Sequence, residues 1–205
     1  MEELNLIVAG VGGQGSILLT HIIGNAAIAQ GLRVRAAETY GAAMRGGSVH
    51  GQIRIGESLT GPLIPEDKAD ILLALEPLEG LRVGVRYLSP SAMALLNSRP
   101  LKPVDVNVGR ARYPSLEEIT ESLKRICRDV YALDATKLAE EAGNVRTLNI
   151  VMLGGLASTG KLPITDDILR ETVAEHVPKG TEEVNLRAFE LGKKAFGELI
   201  KSGMP

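Results

Sequence analysis

Hydrophobic residues in the first quarter of the chain occur in short runs that stop at glycines. Residues 5–9 (NLIVA) form an aliphatic run that ends at Gly10, which predicts a buried strand. Residues 16–30 carry apolar side chains at helical spacing and stop before Gly31, which predicts a helix. Two further strands are predicted at residues 32–38 and 48–55, with a glycine-containing loop at 39–47 between them.

The rest of the chain alternates between aliphatic runs and amphipathic patterns. Strands are predicted at residues 69–75 (ADILLAL) and 129–133, and a short helix at 91–97. Ser115 and Glu118 have the spacing of a capping box, which predicts a helix beginning there. Asp134 is the predicted cap of a helix that runs to Ala142. Three more helices are predicted at 149–158, 165–176 and 181–200, and the first is apolar nearly all round, as buried helices are.

This order of elements predicts an α/β protein. We expect a Rossmann-like three-layer fold, in which a mostly parallel sheet carries helices on both faces. Ligands of such sheets bind beyond the carboxyl ends of the strands. The loops at residues 10–15 and 39–47 are therefore expected side by side at that edge of the sheet.

Composition narrows the classes of function. The 205 residues are 44% hydrophobic but 3% aromatic, without Trp, so an aliphatic core is expected. Lys and Arg number 23 against 25 Asp and Glu, a balance that gives no support to nucleic-acid binding. One cysteine fits a reducing compartment. Neither a signal peptide nor an apolar stretch of the ~20 residues that span a bilayer is visible, so we expect a cytoplasmic protein without a membrane partner.

The first glycine loop follows the pattern G-x-G-x-x-G at Gly10, Gly12 and Gly15. A predicted strand precedes it and a predicted helix follows it, which is the context in which such loops hold a phosphate on free N–H groups. The alternative is that the glycines only permit tight packing of the strand against the helix. No Lys-Ser or Lys-Thr pair follows the last glycine, so the loop is not of the Walker type.

An acidic residue at the end of the second predicted strand, Glu38, keeps a dinucleotide-binding dehydrogenase open as an alternative. Such an enzyme also needs a group that transfers protons. No Tyr-x-x-x-Lys pattern occurs, and the histidines are His21, His50 and His176. Of these, His50 alone lies beside the loops and is a candidate to test, and no catalytic residue is assigned to this chain.

The second glycine-containing loop offers a cation. Arg45 is followed by Gly46, Gly47 and Ser48, so a planar guanidinium stands beside backbone donors, an arrangement suited to a phosphate or a carboxylate. The alternative is a surface turn in which Arg45 is merely solvated.

Taken together, the runs GVGGQG (10–15) and AETYGAAMRGGSVHGQIRIG (37–56) resemble the gamma-type subunit of the 2-oxoacid:ferredoxin oxidoreductases. The resemblance is strongest to the branch that acts on indolepyruvate and other aryl pyruvates. It implies that residues 1–205 form a single gamma-type domain, whose C-terminal helices span about 165–200. One departure is visible, since Met44 stands where the family usually has Gln. Further matching stretches lie at 62–79, 130–144, 149–158 and 183–196.

The resemblance implies a reaction shared between subunits. The family oxidatively decarboxylates a 2-oxoacid on thiamine diphosphate, passes electrons through iron–sulfur clusters to ferredoxin, and yields an acyl-CoA. A cubane cluster needs about four cysteine ligands, whereas this chain has only Cys127, which falls on the apolar face of a predicted helix. The thiamine signature Gly-Asp-Gly is also absent. Thiamine diphosphate, its Mg²⁺ and the clusters are therefore expected on a large catalytic (alpha) partner subunit, with no metal site on this chain.

What remains for this chain is to complete the active site, and we expect its loops to hold the phosphates of CoA. The alternatives are that the loops only hold the subunits together, or that the chain is a non-enzymatic nucleotide-binding assembly module. Self-association of the isolated chain is also expected, because a surface built for a large partner can pair with itself. The expected binding residues are Gly10, Gly12, Gly13, Gln14, Gly15, Glu38, Arg45, Gly46, Gly47 and Ser48.

Overall fold

The computed structural model describes residues 3–41 and 46–203. Within these ranges the chain forms six strands, eight α-helices and one 3₁₀ turn (Val145–Thr147). The strands are β1 (Leu4–Val11), β2 (Val34–Tyr40), β3 (Ser48–Ile55), β4 (Ala69–Ala74), β5 (Leu88–Asn97) and β6 (Asp129–Leu133). The helices are α1 (Ser16–Ala29), α2 (Pro77–Tyr87), α3 (Val104–Asn107), α4 (Leu116–Lys124), α5 (Ala135–Ala142), α6 (Leu148–Ser158), α7 (Asp166–His176) and α8 (Glu182–Ser202).

The six described strands form one sheet in the order β2-β3-β1-β4-β5-β6. β1 pairs in parallel with β4, and β5 and β6 continue the parallel arrangement. β3 runs antiparallel to both of its neighbours, β1 and β2. Five strands therefore point the same way, which confirms the predicted α/β class with a mostly parallel sheet. The sequence did not reveal that an antiparallel strand separates β1 from β2.

Helices cover both faces of the sheet, as predicted. Side chains alternate along β1, so Leu6 and Val8 join the core under α1 and α5–α8, whereas Ile7 and Ala9 join the core under α2 and α4. Both cores are mainly aliphatic, and the phenylalanines, Phe189 and Phe196, are fully buried in the first. Alternating burial on two faces is what fixes the register of the strands.

The predicted helix at residues 91–97 is wrong, because this segment belongs to β5. Every residue from Ala92 to Asn97 is buried, since β5 lies between β4 and β6 and has a helix layer on each side. A strand buried on both faces shows no alternation of polar and apolar residues, and a short apolar run of this kind cannot be told from a buried helix by pattern alone. The preceding helix, α2, was not predicted, although Pro77 stands at its first position and Glu76 caps it.

The predicted helix caps are confirmed. The Ser115 side chain accepts a hydrogen bond from the Glu118 N–H, and the Glu118 carboxylate accepts one from the Ser115 N–H. Asp134 caps α5 by accepting from the N–H of Lys137. These local bonds fix where α4 and α5 begin, and α5 starts directly after the carboxyl end of β6.

Two helices of the first face approach each other closely. A Cβ added at Gly192 of α8 would lie 1.9 Å from the carbonyl oxygen of Val151, and one added at Gly154 of α6 would lie 2.0 Å from that of Phe189. The backbones of α6 and α8 therefore touch at these glycines. The predicted burial of α6 is confirmed, because every residue from Leu148 to Leu156 is buried.

The described ranges contain no helix with both the length and the apolar character needed to cross a membrane. Across residues 3–41 and 46–203, no group of three or more His, Cys, Asp or Glu side chains is arranged to hold a metal ion.

Candidate functional site

The first glycine loop joins the end of β1 to the start of α1, as the sequence predicts. Gly13 (φ 107°) and Gly15 (φ 82°) adopt left-handed backbone conformations that residues with a side chain rarely adopt. At Gly10 the reason for glycine is space, because an added Cβ would lie 2.7 Å from the Ser16 hydroxyl. The three positions together allow the chain to turn sharply over the end of β1.

This turn leaves backbone donors free at the start of α1. Gly15 occupies the cap position of the helix, and no side chain caps it. In the described part of the chain, no acceptor lies in hydrogen-bonding position for the N–H groups of Gly15, Ser16 and Ile17. Unpaired N–H groups at a helix start carry partial positive charge and favour an anion.

The second loop binds directly to the first. The N–H of Gly12 donates to the carbonyl oxygen of Gly47 at 2.8 Å, and the N–H of Gly46 donates to that of Gly12 at 3.2 Å. These bonds extend the antiparallel pairing of β1 with β3, whose last pair is Val11 with Ser48. The expectation that the two loops lie side by side is thus confirmed for the part of the second loop that the structure describes. Arg45 and Met44 lie outside the described residues.

A cleft of about 320 Å³ opens above the first loop. Tyr40, at the end of β2, forms part of its wall, and its ring is exposed. The other lining residues come from the glycine loop, the first turn of α1 and β3: Val11, Gly12, Gly13, Gly15, Ser16, Ile17 and Val49. No charged side chain is among these described residues, so the donors at this cleft are neutral: backbone N–H groups, together with the hydroxyl-bearing side chains of Ser16 and Tyr40.

Gln14 supports the loop from within. Its side-chain oxygen accepts from the N–H of Val11 at 2.8 Å, and its side-chain nitrogen donates to the carbonyl oxygen of Leu75 at 3.1 Å. Both polar ends of the side chain are therefore engaged with backbone groups. Among the predicted binding residues, Gln14 thus holds the loop in shape, and the N–H groups around it are the ones left for a ligand.

Asn149, which the sequence analysis did not single out, also holds the loop. This buried residue of α6 donates from its side-chain nitrogen to the carbonyl oxygen of Gly15 at 3.3 Å. A Cβ at Gly15 would lie 2.7 Å from that nitrogen, so a side chain there would displace Asn149. No local motif marks the contact, because 134 residues separate the two.

Glu38 lies apart from the glycine loop. Because β3 separates β2 from β1, Glu38 is two strands away from the loop instead of adjacent to it. Its carboxylate lies 2.8 Å from Nε2 of His21 and accepts a hydrogen bond from the hydroxyl of Tyr40. In dinucleotide-binding folds the corresponding acid follows the strand beside the loop and holds the ribose. This arrangement does not favour the dehydrogenase alternative.

The histidines show no arrangement for proton transfer at the cleft. His50 lies on the opposite face of β3 from α1, 6.1 Å from the Tyr87 ring between ring centres, and burial lowers its pKa. Within the described residues its Nε2 is buried without a hydrogen-bond partner. His176 contacts Asn25 and the carbonyl oxygen of Thr172.

A second, smaller cleft of about 260 Å³ lies beyond β4 and β5, next to α4. Tyr113 lines it and donates its hydroxyl hydrogen bond to the buried carboxylate of Glu76. Burial and this carboxylate raise the pKa of Tyr113, so the hydroxyl stays protonated. Three prolines line the wall, and Glu76 also accepts from the N–H of Leu101, which ties the segment after β5 to the start of α2.

Comparison with known proteins shows what the chain is similar to. The profile of the family described as Pyruvate ferredoxin/flavodoxin oxidoreductase matches residues 5–195. Indolepyruvate oxidoreductase subunit IorB of Thermococcus kodakarensis is 41% identical over 205 residues, which cover 98% of this chain and 99% of that protein. IorB of Archaeoglobus fulgidus is 40% identical over 190 residues, covering 93% and 94%.

Solved structures share the fold. The gamma subunit of a keto/oxoacid ferredoxin oxidoreductase from Geobacter sulfurreducens matches with a TM-score of 0.69 at 22% identity, covering 94% of this chain and 98% of that chain. A 2-oxoglutarate:ferredoxin oxidoreductase from Magnetococcus marinus, with 2-oxoglutarate, coenzyme A and succinyl-CoA bound, matches with a TM-score of 0.70 at 25% identity. That match covers 97% of this chain and 31% of that longer chain.

Proposed function

This chain belongs to the Pyruvate ferredoxin/flavodoxin oxidoreductase family, and we propose that it is the subunit of a 2-oxoacid:ferredoxin oxidoreductase that carries neither thiamine nor iron–sulfur clusters. In that role it completes the active site and helps to hold CoA during oxidative decarboxylation to an acyl-CoA. The observation that carries the proposal is the cleft beside free N–H groups on a chain without a group for redox chemistry.

The proposed substrates are indolepyruvate and other aryl pyruvates. Relatives that bear the name of an indolepyruvate oxidoreductase subunit are about 40% identical along nearly the whole chain, whereas a relative named 2-oxoglutarate synthase subunit KorC is 29% identical. The difference in identity supports the indolepyruvate branch. The pocket for the aryl group is assigned to the partner, where the 2-oxoacid reacts.

The proposed division of labour follows from residue counts. One cysteine cannot supply the four ligands that a cubane cluster needs, and Cys127 is buried in the core. Thiamine diphosphate, Mg²⁺ and the clusters are therefore assigned to a large catalytic (alpha) subunit, which passes electrons to ferredoxin. The same lone, reduced cysteine is consistent with a cytoplasmic location.

The contribution of this chain to the reaction is positional. The unpaired N–H groups of Gly15, Ser16 and Ile17 would bind a phosphate of CoA through charge-assisted hydrogen bonds. Arg45, which belongs to the second loop and precedes Gly46 and Gly47 in the sequence, would add a cation. Holding CoA by its phosphates brings its thiol to the acyl group on the partner, and such positioning accelerates a reaction without any acid or base from this chain. The CoA bound in the structural relative from Magnetococcus marinus supports this assignment.

The test measures the dependence of the complex on CoA. Gly12→Val adds a side chain to a residue that lines the cleft, and Arg45→Ala removes the proposed cation. In the complex with its partner, we expect each variant to raise the KM for CoA roughly tenfold, as the loss of a charge-assisted contact of about 1.5 kcal/mol would. Gly61→Val is the matched control, because an added Cβ at Gly61 meets nothing within 4 Å.

Three results would contradict the proposal. An unchanged KM for CoA in both variants would remove the loops from CoA binding. If the same variants instead weakened the association of the subunits, measured by sedimentation of the mixed chains, the loops would be an interface alone. Turnover of a nicotinamide cofactor by the isolated chain would favour the dehydrogenase alternative.

A further inference from the structure

One carbonyl group at the end of β4 receives hydrogen bonds from two distant side chains. The carbonyl oxygen of Leu75 accepts from the side-chain nitrogen of Gln14 at 3.1 Å and from that of Asn97 at 3.1 Å. The N–H of the same residue donates to the carbonyl oxygen of Ala9 at 2.8 Å. Leu75 therefore joins the glycine loop, the end of β1 and the end of β5.

Asn97 connects this point to α5. Its side chain is 1% exposed, its nitrogen contacts the Thr136 hydroxyl at 3.0 Å, and its oxygen accepts from the N–H of Thr136 at 3.3 Å. The Asn97 side chain also lies within 3.5 Å of the backbone of Arg99. The guanidinium of Arg99 in turn forms ion pairs with Asp134 and Glu140. A continuous path of hydrogen bonds thus runs from the glycine loop to the first turn of α5.

We propose that Asn97 is a positioning residue for CoA, acting through Leu75 and Gln14 to hold the glycine loop in its binding conformation. This inference rests on the proposed function of the loop. Asn97 itself does not line the cleft, so its effect must pass through the loop.

Asn97 affects CoA binding because the N–H groups of the loop bind a phosphate only while they point into the cleft. Gln14 uses its oxygen on Val11 and its nitrogen on Leu75, so the support that it gives to the loop depends on the position of the Leu75 carbonyl. Asn97 is the second donor on that carbonyl and is fixed in turn by Thr136. A buried network of this kind is strong only when every member is satisfied. Without Asn97 the amides would have to be ordered by CoA itself, which lowers the affinity.

The decisive variant is Asn97→Leu, which keeps the size of the side chain and removes its polar atoms. In the complex we expect the KM for CoA to rise roughly fivefold to tenfold, while kcat at saturating CoA changes less than about twofold, because the lost contact affects binding and not the reacting atoms. Reduction of the partner by the 2-oxoacid without CoA should stay unchanged.

Asn185→Leu is the matched control. Asn185 is also buried, and its side-chain nitrogen donates to the backbone and hydroxyl of Thr181 at the start of α8. We expect it to lower the melting temperature as Asn97→Leu does, with no change in the KM for CoA. Thr136→Val, which removes one hydroxyl of the path, is the milder second variant and should raise the KM about twofold.

Each outcome is decisive. If Gly12→Val raises the KM for CoA and Asn97→Leu does not, the positioning role is wrong and the proposed function stands. If neither variant changes the KM for CoA, the proposed function is wrong, and the inference that rests on it is wrong as well. An equal rise in Asn185→Leu would show a general loss of stability in place of a specific path. Should Asn97→Leu fail to assemble, an unchanged KM in Thr136→Val overturns the inference.

Discussion

At the scale of single residues, Cys127 shows how burial determines chemistry. The thiol lies in the second core with its sulfur 3.4 Å from the carbonyl oxygen of Leu123. Burial, with a smaller contribution from the Asp129 carboxylate, raises the pKa of Cys127 to about 11. A protonated, buried thiol is neither a nucleophile nor a metal ligand. The sequence placed Cys127 on the apolar face of a predicted helix; the residue is buried in the second core, but α4 ends before it, at Lys124.

The raised pKa predicts a dependence of stability on pH. Because the folded protein holds the proton more tightly than the unfolded chain, the stabilisation is complete below about pH 9 and is lost as the pH rises towards about 11. We expect wild type to lose roughly 2 kcal/mol more than Cys127→Ala over that range. Urea unfolding of both proteins at the two ends of the range measures this, and parallel losses would refute it.

The residues of the site divide by sequence separation into those that could be predicted and those that could not. Gly10, Gly12 and Gly15 were identifiable because the motif, the strand and the helix are adjacent in sequence. The amide contacts of Asn97 and Asn149 were not, since their partners lie 22 and 134 residues away. A side chain that supports a loop from another element leaves no local pattern, whereas a glycine in a turn does.

At the scale of elements, the contact of α6 with α8 depends on glycine. We predict that Gly192→Ala destabilises the protein by at least about 2 kcal/mol, since the new methyl group would lie 1.9 Å from a backbone oxygen that cannot move aside. Gly197→Ala in the same helix is the control. Its Cβ would make an ordinary contact at 3.5 Å with Ser158, and alanine favours the helix by up to about 1 kcal/mol.

Thermal unfolding of the two variants measures the difference. The melting temperature should fall in Gly192→Ala and stay level or rise in Gly197→Ala. Equal shifts in both would show that helix propensity, and not the approach of the two backbones, determines the outcome.

The elements themselves were predictable where their signals were local. The capping box at Ser115 and the alternation along β3 gave a helix and a strand that the structure confirms. The segment that became β5 gave a wrong prediction, because its environment is set by β4 and β6 and not by its own pattern. The antiparallel direction of β3 could not be predicted from its sequence for the same reason, because the direction depends on the pairing of β3 with β1.

At the scale of the whole molecule, the proposed function makes the chain dependent on a partner. We predict that the isolated chain has no visible absorbance and does not reduce ferredoxin with indolepyruvate, and that adding the thiamine-bearing subunit restores CoA-dependent turnover. The partner alone is the control and should show little response to CoA. Independent turnover by this purified chain would contradict the division of labour.

The central position of β1 has a consequence for synthesis on the ribosome. β1 is the earliest strand of the described chain, yet its two neighbours in the sheet are β3 and β4, which end at residues 55 and 74. Until those segments leave the exit tunnel, the aliphatic run around Leu6–Ala9 has no partner on either side, and unpaired apolar strands are prone to aggregate. We therefore expect the nascent chain to need a holding chaperone during this interval, and to become independent of it once β4 has emerged.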